Sequence, residues 1–142
     1  IVMPESSEHM VLVEELIQWT NIYFKNKNAL IYSDSPEAIK KPEKTGIYIP
    51  DLYAKNITTG EILIGEAKRI SDLTNAGNYK RAICQLEEFV NFLAIHGGGI
   101  ILMAVPLYVR SGFESLIIDI INKHKCKNIQ YHFTRSWKNS SN

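Results

Sequence analysis

Asp51 follows Pro50 at the end of an apolar run, Gly46-Ile47-Tyr48-Ile49-Pro50, and fourteen residues separate it from the cluster Glu66-Ala67-Lys68. That cluster closes a second run, Glu61-Ile62-Leu63-Ile64-Gly65. Two carboxylates and an amine carried by neighbouring extended segments are the parts needed for metal-assisted hydrolysis of a phosphodiester. Carboxylate oxygens suit Mg2+ or Mn2+, with water and a phosphate oxygen completing the coordination shell. Such a cation polarises the phosphate and lowers the pKa of its water. A lysine two residues beyond the second acid can orient that water, help deprotonate it, or stabilise charge developing at phosphorus.

The elements that must position these groups follow from hydrophobic period. Side chains alternate along a strand, so Ile62, Ile64, Glu66 and Lys68 share one face, as do Ile47, Ile49 and Asp51. Each predicted strand carries apolar residues in phase and turns to charge at its C-terminal end, the pattern of a buried face opening into a cleft. Pairing as a hairpin would bring Asp51 and Glu66 together. Around this pair, Ser6-Ser7 offers a cap for a helix over 8–24, with Leu12, Val13, Leu16, Ile17 and Tyr23 as its apolar stripe. A short strand is predicted at 29–32, then a polar loop over 33–45 with Pro36 and Pro42, then strands at 47–54 and 61–68 joined by a turn-rich link. Residues 71–78 read as a loop, and 79–96 as a helix with Ile83, Leu86, Phe89, Val90 and Leu93 on one face. Gly97-Gly98-Gly99 stops that helix. A buried strand at 100–105, a helix at 113–123, a last strand at 129–133 and a fraying polar tail at 135–142 complete the chain. The order α-β-β-β-α-β-α-β predicts an α/β fold with a mixed central sheet flanked by helices.

The motif Pro50-Asp51…Glu66-Ala67-Lys68 resembles that of the PD-(D/E)xK nuclease superfamily, whose fold is restriction-endonuclease-like with an αβββαβ core. Gln85, seventeen residues after Lys68 and inside the following helix, resembles the helper glutamine of the exonuclease and resolvase branches. The resemblance covers about residues 8–105. It implies that Asp51 and Glu66 bind Mg2+ or Mn2+, that Ala67 adds its backbone carbonyl, and that Lys68 is catalytic with Gln85 beside it. Some branches add an acid from the first helix. Glu8 and Glu15 are the candidates, since seven residues return to the same helix face, and His9 is another. Arg81 lies one turn before Gln85 and next to Lys80, so Arg69, Lys80 and Arg81 are candidate phosphate contacts.

With 142 residues, the chain reads as a single domain, its core over about 8–134. It is 45% hydrophobic and 22% charged, with net charge +1, an ordinary globular balance that does not by itself demand a polyanionic partner. Cys84 and Cys126 show no CxxC or zinc spacing and read as free thiols of a reducing, cytoplasmic compartment. No apolar run is long enough to span a bilayer, and no secretory pattern opens the sequence. Each signal has a plainer reading: Asp51 as a turn residue, Glu66 and Lys68 as a surface pair, Gln85 as a solvated helix position, the lysine clusters as solvated faces. Their joint order favours a metal-dependent endonuclease acting on DNA. The alternatives are a non-catalytic nucleic-acid-binding or interaction module that keeps the fold, and a ribonuclease with the same site. One small domain cuts one strand at a time, so double-strand cleavage would need a homodimer. The lack of a separate recognition domain leaves targeting to DNA structure, to modest sequence readout or to a recruiting protein partner.

Overall fold

Leu12, Val13 and Leu16 are buried on one stripe of helix α1 (Pro4–Tyr23), as their three- and four-residue spacing requires. The computed structural model describes residues 4–34 and 41–135, with the side chains of 4–6 excepted. After α1 come strands β1 (Ala29–Ser33), β2 (Leu52–Asn56) and β3 (Ile62–Ala67). Two helices follow, α2 (Ser71–Thr74) and α3 (Ala76–Ile95), then β4 (Gly99–Ala104). A 3-10 turn (Leu107–Val109) leads into α4 (Arg110–Asn122), and β5 (Ile129–Phe133) is the final strand.

The five strands form one open sheet in the order β1-β2-β3-β4-β5. β1, β2 and β3 pair antiparallel, and β3, β4 and β5 pair parallel, so the sheet is mixed and the class is α/β. The parallel pairings need helical crossovers, which α3 and α4 supply. Central strand β3 is buried on both faces, and its alternation decides what each face meets. Ile62 and Ile64 join Leu86, Phe89, Val90 and Leu93 of α3 and Phe113, Ile117 and Ile120 of α4 in one core. Leu63 and Ala67 join Leu12, Val13 and Leu16 of α1 in the other. Each fully buried Leu, Ile or Phe contributes about 1.5–3 kcal/mol relative to exposure, so the two cores clamp β3 from both sides. A Cβ at Gly65 would stand 3.1 Å from Leu52 Cβ and 3.3 Å from Leu16 Cδ2, so glycine lets α1 approach the sheet here.

The most consequential departure from the sequence reading concerns the segment before β2. Residues 47–54 were expected to be extended, but the strand runs from Leu52 to Asn56, and Ile47 and Ile49 are 67% and 55% exposed. Thr45 and Tyr48 close a separate tight turn through a 2.8 Å backbone hydrogen bond. Two antiparallel strands present their C-terminal ends at opposite edges of a sheet, so two acids that both closed their strands could not meet. Asp51 instead stands just before β2, and the pairing of Leu52 with Gly65 sets it beside Glu66 at the finish of β3. A second departure lies at 71–78, where α2 and the first turn of α3 replace the expected loop. Asn75 caps α3 by accepting from the Asn78 amide at 3.0 Å. The other predicted helices and strands are present, with ends displaced by a few residues. Residues 35–40 of the predicted polar loop, with Pro36, and the predicted tail beyond Arg135 lie outside the described residues.

Candidate active site

Glu66 and Lys68 leave β3 on the face occupied by Ile62 and Ile64, and both remain buried, at 3% and 7% exposure. Lys68 Nζ lies 3.1 Å from Glu66 Oε2. The same ammonium donates to Gln85 Oε1, which α3 carries over the sheet. Asp51 and Glu66 are joined through the backbone as well. The Asp51 amide donates to Glu66 Oε1 at 3.0 Å, and Asp51 Oδ2 accepts from the Ala67 amide at 2.8 Å. From the other side of the sheet, α1 brings His9, whose Nε2 lies 3.4 Å from Asp51 Oδ1.

These groups line one cleft of about 340 Å³, with Ile49, Ala67, Arg69, Asp72, Asn78 and Arg81 also in its wall. Burial of Glu66, followed by the charge of Asp51, pushes its carboxyl well above the ordinary 4.5, against the opposing influence of Lys68. Burial would also raise Asp51, but hydrogen bonds from His9 and the Ala67 amide, with the His9 charge, hold it below 3.8. His9 is raised above 6.5, mainly by its hydrogen bond to Asp51. Two adjacent carboxyls thus sit in unlike states, one ionised and one held towards neutrality. Such crowding of negative charge is what a divalent cation would relieve.

The donor set suits a hard cation. Asp51 and Glu66 offer carboxylate oxygens, Ala67 lines the same cleft, and neither free thiol, Cys84 or Cys126, belongs to it. Among the described residues no three His, Cys, Asp or Glu side chains gather as a ready metal cage. Mg2+ sites commonly use one or two carboxylates and complete the shell with water and substrate phosphate, so no such cage is demanded.

Of the residues singled out in the sequence, Asp51, Glu66, Ala67, Lys68, Gln85, His9, Arg69 and Arg81 meet at this cleft. Lys80 is exposed and is not part of its wall. Glu15 is engaged elsewhere: its carboxylate accepts from the Thr134 hydroxyl at 3.0 Å and from Arg135 Nη2 at 2.6 Å. Glu8, exposed on α1, contributes to the field at Arg135. Glu8 and Glu15 share a helix face, as their seven-residue spacing requires, but that face looks towards the end of β5. His9, one residue on, looks into the cleft.

Three wall residues were not anticipated. Asp72 Oδ2 accepts from the Arg69 amide at 2.8 Å, bracing the turn that carries Arg69 into the cleft. Asp72 sits in the first turn of α2 and reaches back to an amide just before the helix, the back-reaching half of a capping box, which the sequence displays at Arg69-Ile70-Ser71-Asp72. Asn78 arrives because α3 begins at Ala76 rather than Tyr79. Ile49 is there because residues 45–48 form a turn and β2 begins only at Leu52.

No family model, curated protein or solved structure matches this chain. Its class, an α/β chain with a five-stranded mixed open sheet and four α-helices among the described residues, rests on the pairing itself. Among those residues no helix is long and apolar enough to cross a membrane.

Proposed function

We propose that this chain is a metal-dependent nuclease that hydrolyses DNA phosphodiester bonds, with the restriction-endonuclease-like core and motif of the PD-(D/E)xK superfamily. The observation that carries the reading is the convergence of Asp51, Glu66 and Lys68, with Gln85 behind the lysine, in one polar cleft. A surface ion pair would not explain why a lysine is 7% exposed and held between a carboxylate and an amide oxygen. Burying such a group is costly unless it is paired, and functional sites are where that cost is met.

In this reading Asp51 and Glu66 hold Mg2+ or Mn2+, which when bound supplies a polarised phosphate and an acidified water. Lys68 directs its ammonium at the reacting phosphate and stabilises the negative charge that builds there. Gln85 restricts the Lys68 side chain, whose long stem would otherwise sample many rotamers. Arg69 and Arg81, in the wall of the cleft, hold phosphates that flank the cleaved bond. His9 orients Asp51 and spreads part of its charge. One copy of the chain carries one such site and cuts one strand per encounter; cutting both strands calls for a second copy.

The test is a substrate panel of linear duplex, single strand, forked duplex, four-way junction and RNA, each with Mg2+ and with Mn2+. Cleavage of at least one DNA, abolished by EDTA and by Asp51→Asn, is the expected result. Binding to these substrates without cleavage of any would favour a non-catalytic module instead. Preferential cleavage of the RNA would reassign the same chemistry to a ribonuclease.

A further inference from the structure

Residues Thr45–Tyr48 form a two-residue turn with Gly46 at its first central position, at φ +85°. That is the glycine placement of a type II′ turn. The turn is anchored from beneath. A Cβ on Gly46 would stand 2.7 Å from Glu88 Oε2 on α3, and the Tyr48 ring packs edge-on against Phe89 at 6.5 Å. The anchoring leaves Ile47 at the tip and Ile49 at the rim, 67% and 55% exposed. Tips of such turns favour Gly, Asn, Asp and Ser, which adopt the turn's dihedrals or hydrogen-bond its backbone, and isoleucine does neither. Ile49 is also part of the cleft wall, together with Asp51, Arg69 and Arg81. Ile47 lines a neighbouring groove with Glu87 and Glu88, and Ile49 joins this apolar turn to a cleft that carries Lys68, Arg69 and Arg81 beside its acids, a match for a polyanion that also offers apolar faces. Nucleic-acid bases provide those faces once their stack is opened.

We infer that the Ile47–Ile49 turn is an apolar wedge that inserts against the bases of DNA whose stacking is interrupted beside the cleaved phosphate. The inference rests on the nucleic-acid reading of the cleft and names its substrate class: a junction between paired and unpaired strands. Reach supports the assignment. Ile49 and Ile47 lie two and four residues from Asp51, at most about 7 and 14 Å of extended chain. At about 3.4 Å per nucleotide along one strand, that range covers the first few base steps beside the reacting phosphate. Isoleucine is among the side chains that proteins drive between base steps to unstack them. The arginines hold the backbone, and the isoleucines meet the bases.

The experiment uses a forked duplex with 2-aminopurine in the last base pair before the fork, titrated with the full chain in Mn2+, with nicking followed on the same samples. Wild-type chain is expected to raise 2-aminopurine fluorescence severalfold. The double variant Ile47→Ser/Ile49→Ser is expected to lose that rise and to lose about tenfold in its preference for fork over matched duplex, a factor on the scale of losing one stacking contact. Ile95→Ser, at a 72% exposed position near the end of α3, serves as the control and is expected to behave as wild type. No rise with wild type, or an undiminished rise in the double variant, overturns the wedge. Nicking decides the other question separately. Nicking without a wedge-dependent rise leaves a nuclease that lacks the wedge, and a wedge-dependent rise without nicking leaves a fork-binding module that lacks the hydrolase.

Discussion

The Asp51 amide donates to Oε1 of Glu66 at 3.0 Å, so one acid of the site holds the backbone of the other. In return, Asp51 Oδ2 accepts from the amide of Ala67, the residue after Glu66. The exchange ties the start of β2 to the finish of β3 and leaves Asp51 Oδ1 and Glu66 Oε2 as the oxygens turned to His9 and Lys68. Geometry and charge can be separated by substitution because different atoms serve each.

Asp51→Asn retains a side-chain oxygen able to accept from the Ala67 amide, whereas Asp51→Ala does not. Both are expected to reduce nicking by at least about 100-fold, since both remove a charged ligand, an effect on the scale of losing a key electrostatic group. Asp51→Ala should also be less stable than Asp51→Asn, by about 1–3 kcal/mol of unfolding free energy, because it leaves a partly buried amide unpaired. Urea melts beside nicking rates distinguish the two, and equal stability of the variants would refute the structural half of this account.

Glu66→Gln is expected to stabilise the metal-free fold at neutral pH. The Glu66 carboxyl is raised by burial and by Asp51, so the folded state resists its ionisation. The stability linked to this group is fully present below the unfolded value of 4.5 and is lost as pH rises towards the folded value. Glutamine removes that penalty, for a gain of about 1 kcal/mol, as when a strained functional site is relaxed. Thermal melts in EDTA from pH 4 to pH 8 should show the gain growing with pH. A gain that is flat across this range would contradict the burial argument.

The His9–Asp51 pair should leave the opposite signature at each end of the pH scale. His9 is raised, so its contribution is fully present below 6.5 and declines as pH rises through the folded value. Asp51 is lowered, so its contribution is present above 3.8 and declines as pH falls through the folded value. The pair therefore supports the metal-free fold most between about pH 4 and 6.5. His9→Ala should lose stability within that window and approach wild type above it, as read by urea midpoints at several pH values. A deficit that instead grew towards pH 9 would mean that packing, not charge, is what His9 provides.

Gln85 touches the site through Lys68 and acts as a positioning residue. Gln85→Ala is expected to reduce the turnover rate by about tenfold with little change in DNA affinity, a modest loss set against the 100-fold scale of removing a reacting group. Gln85→Asn, one methylene shorter, should recover little, whereas Gln85→Glu keeps the length and an acceptor for the ammonium. Rescue by Glu but not Asn identifies reach as the determinant; equal activity in all three would show that Lys68 needs no guide.

How much of this was legible in the chain differs from element to element. Glu66 and Lys68 were legible because the two-residue period of a strand puts both on the face of Ile62 and Ile64, even in a run buried on both faces. Gln85 was legible because Ile83, Leu86, Phe89 and Val90 fix the phase of α3. The limits of β2 were not, since Ile47, Tyr48 and Ile49 have the β-branched and aromatic character of a strand but lack its partners. Strand character depends on what the side chains pack against, and here only Tyr48 of the three is packed, on Phe89. Nor could sequence separate Glu15 from the site. Its partners Thr134 and Arg135 lie 119 and 120 positions away, and nothing local to α1 announces them.

The central claim, that Asp51, Glu66 and Lys68 form a cation-dependent phosphodiesterase, is tested most directly by nicking of supercoiled plasmid across an Mn2+ titration, with Lys68→Ala assayed alongside wild type. The account predicts saturable nicking by wild type, none in EDTA, and a loss of at least about 100-fold in the variant at every metal concentration. Nicking that persists in EDTA, or a Lys68→Ala variant as active as wild type, would contradict it.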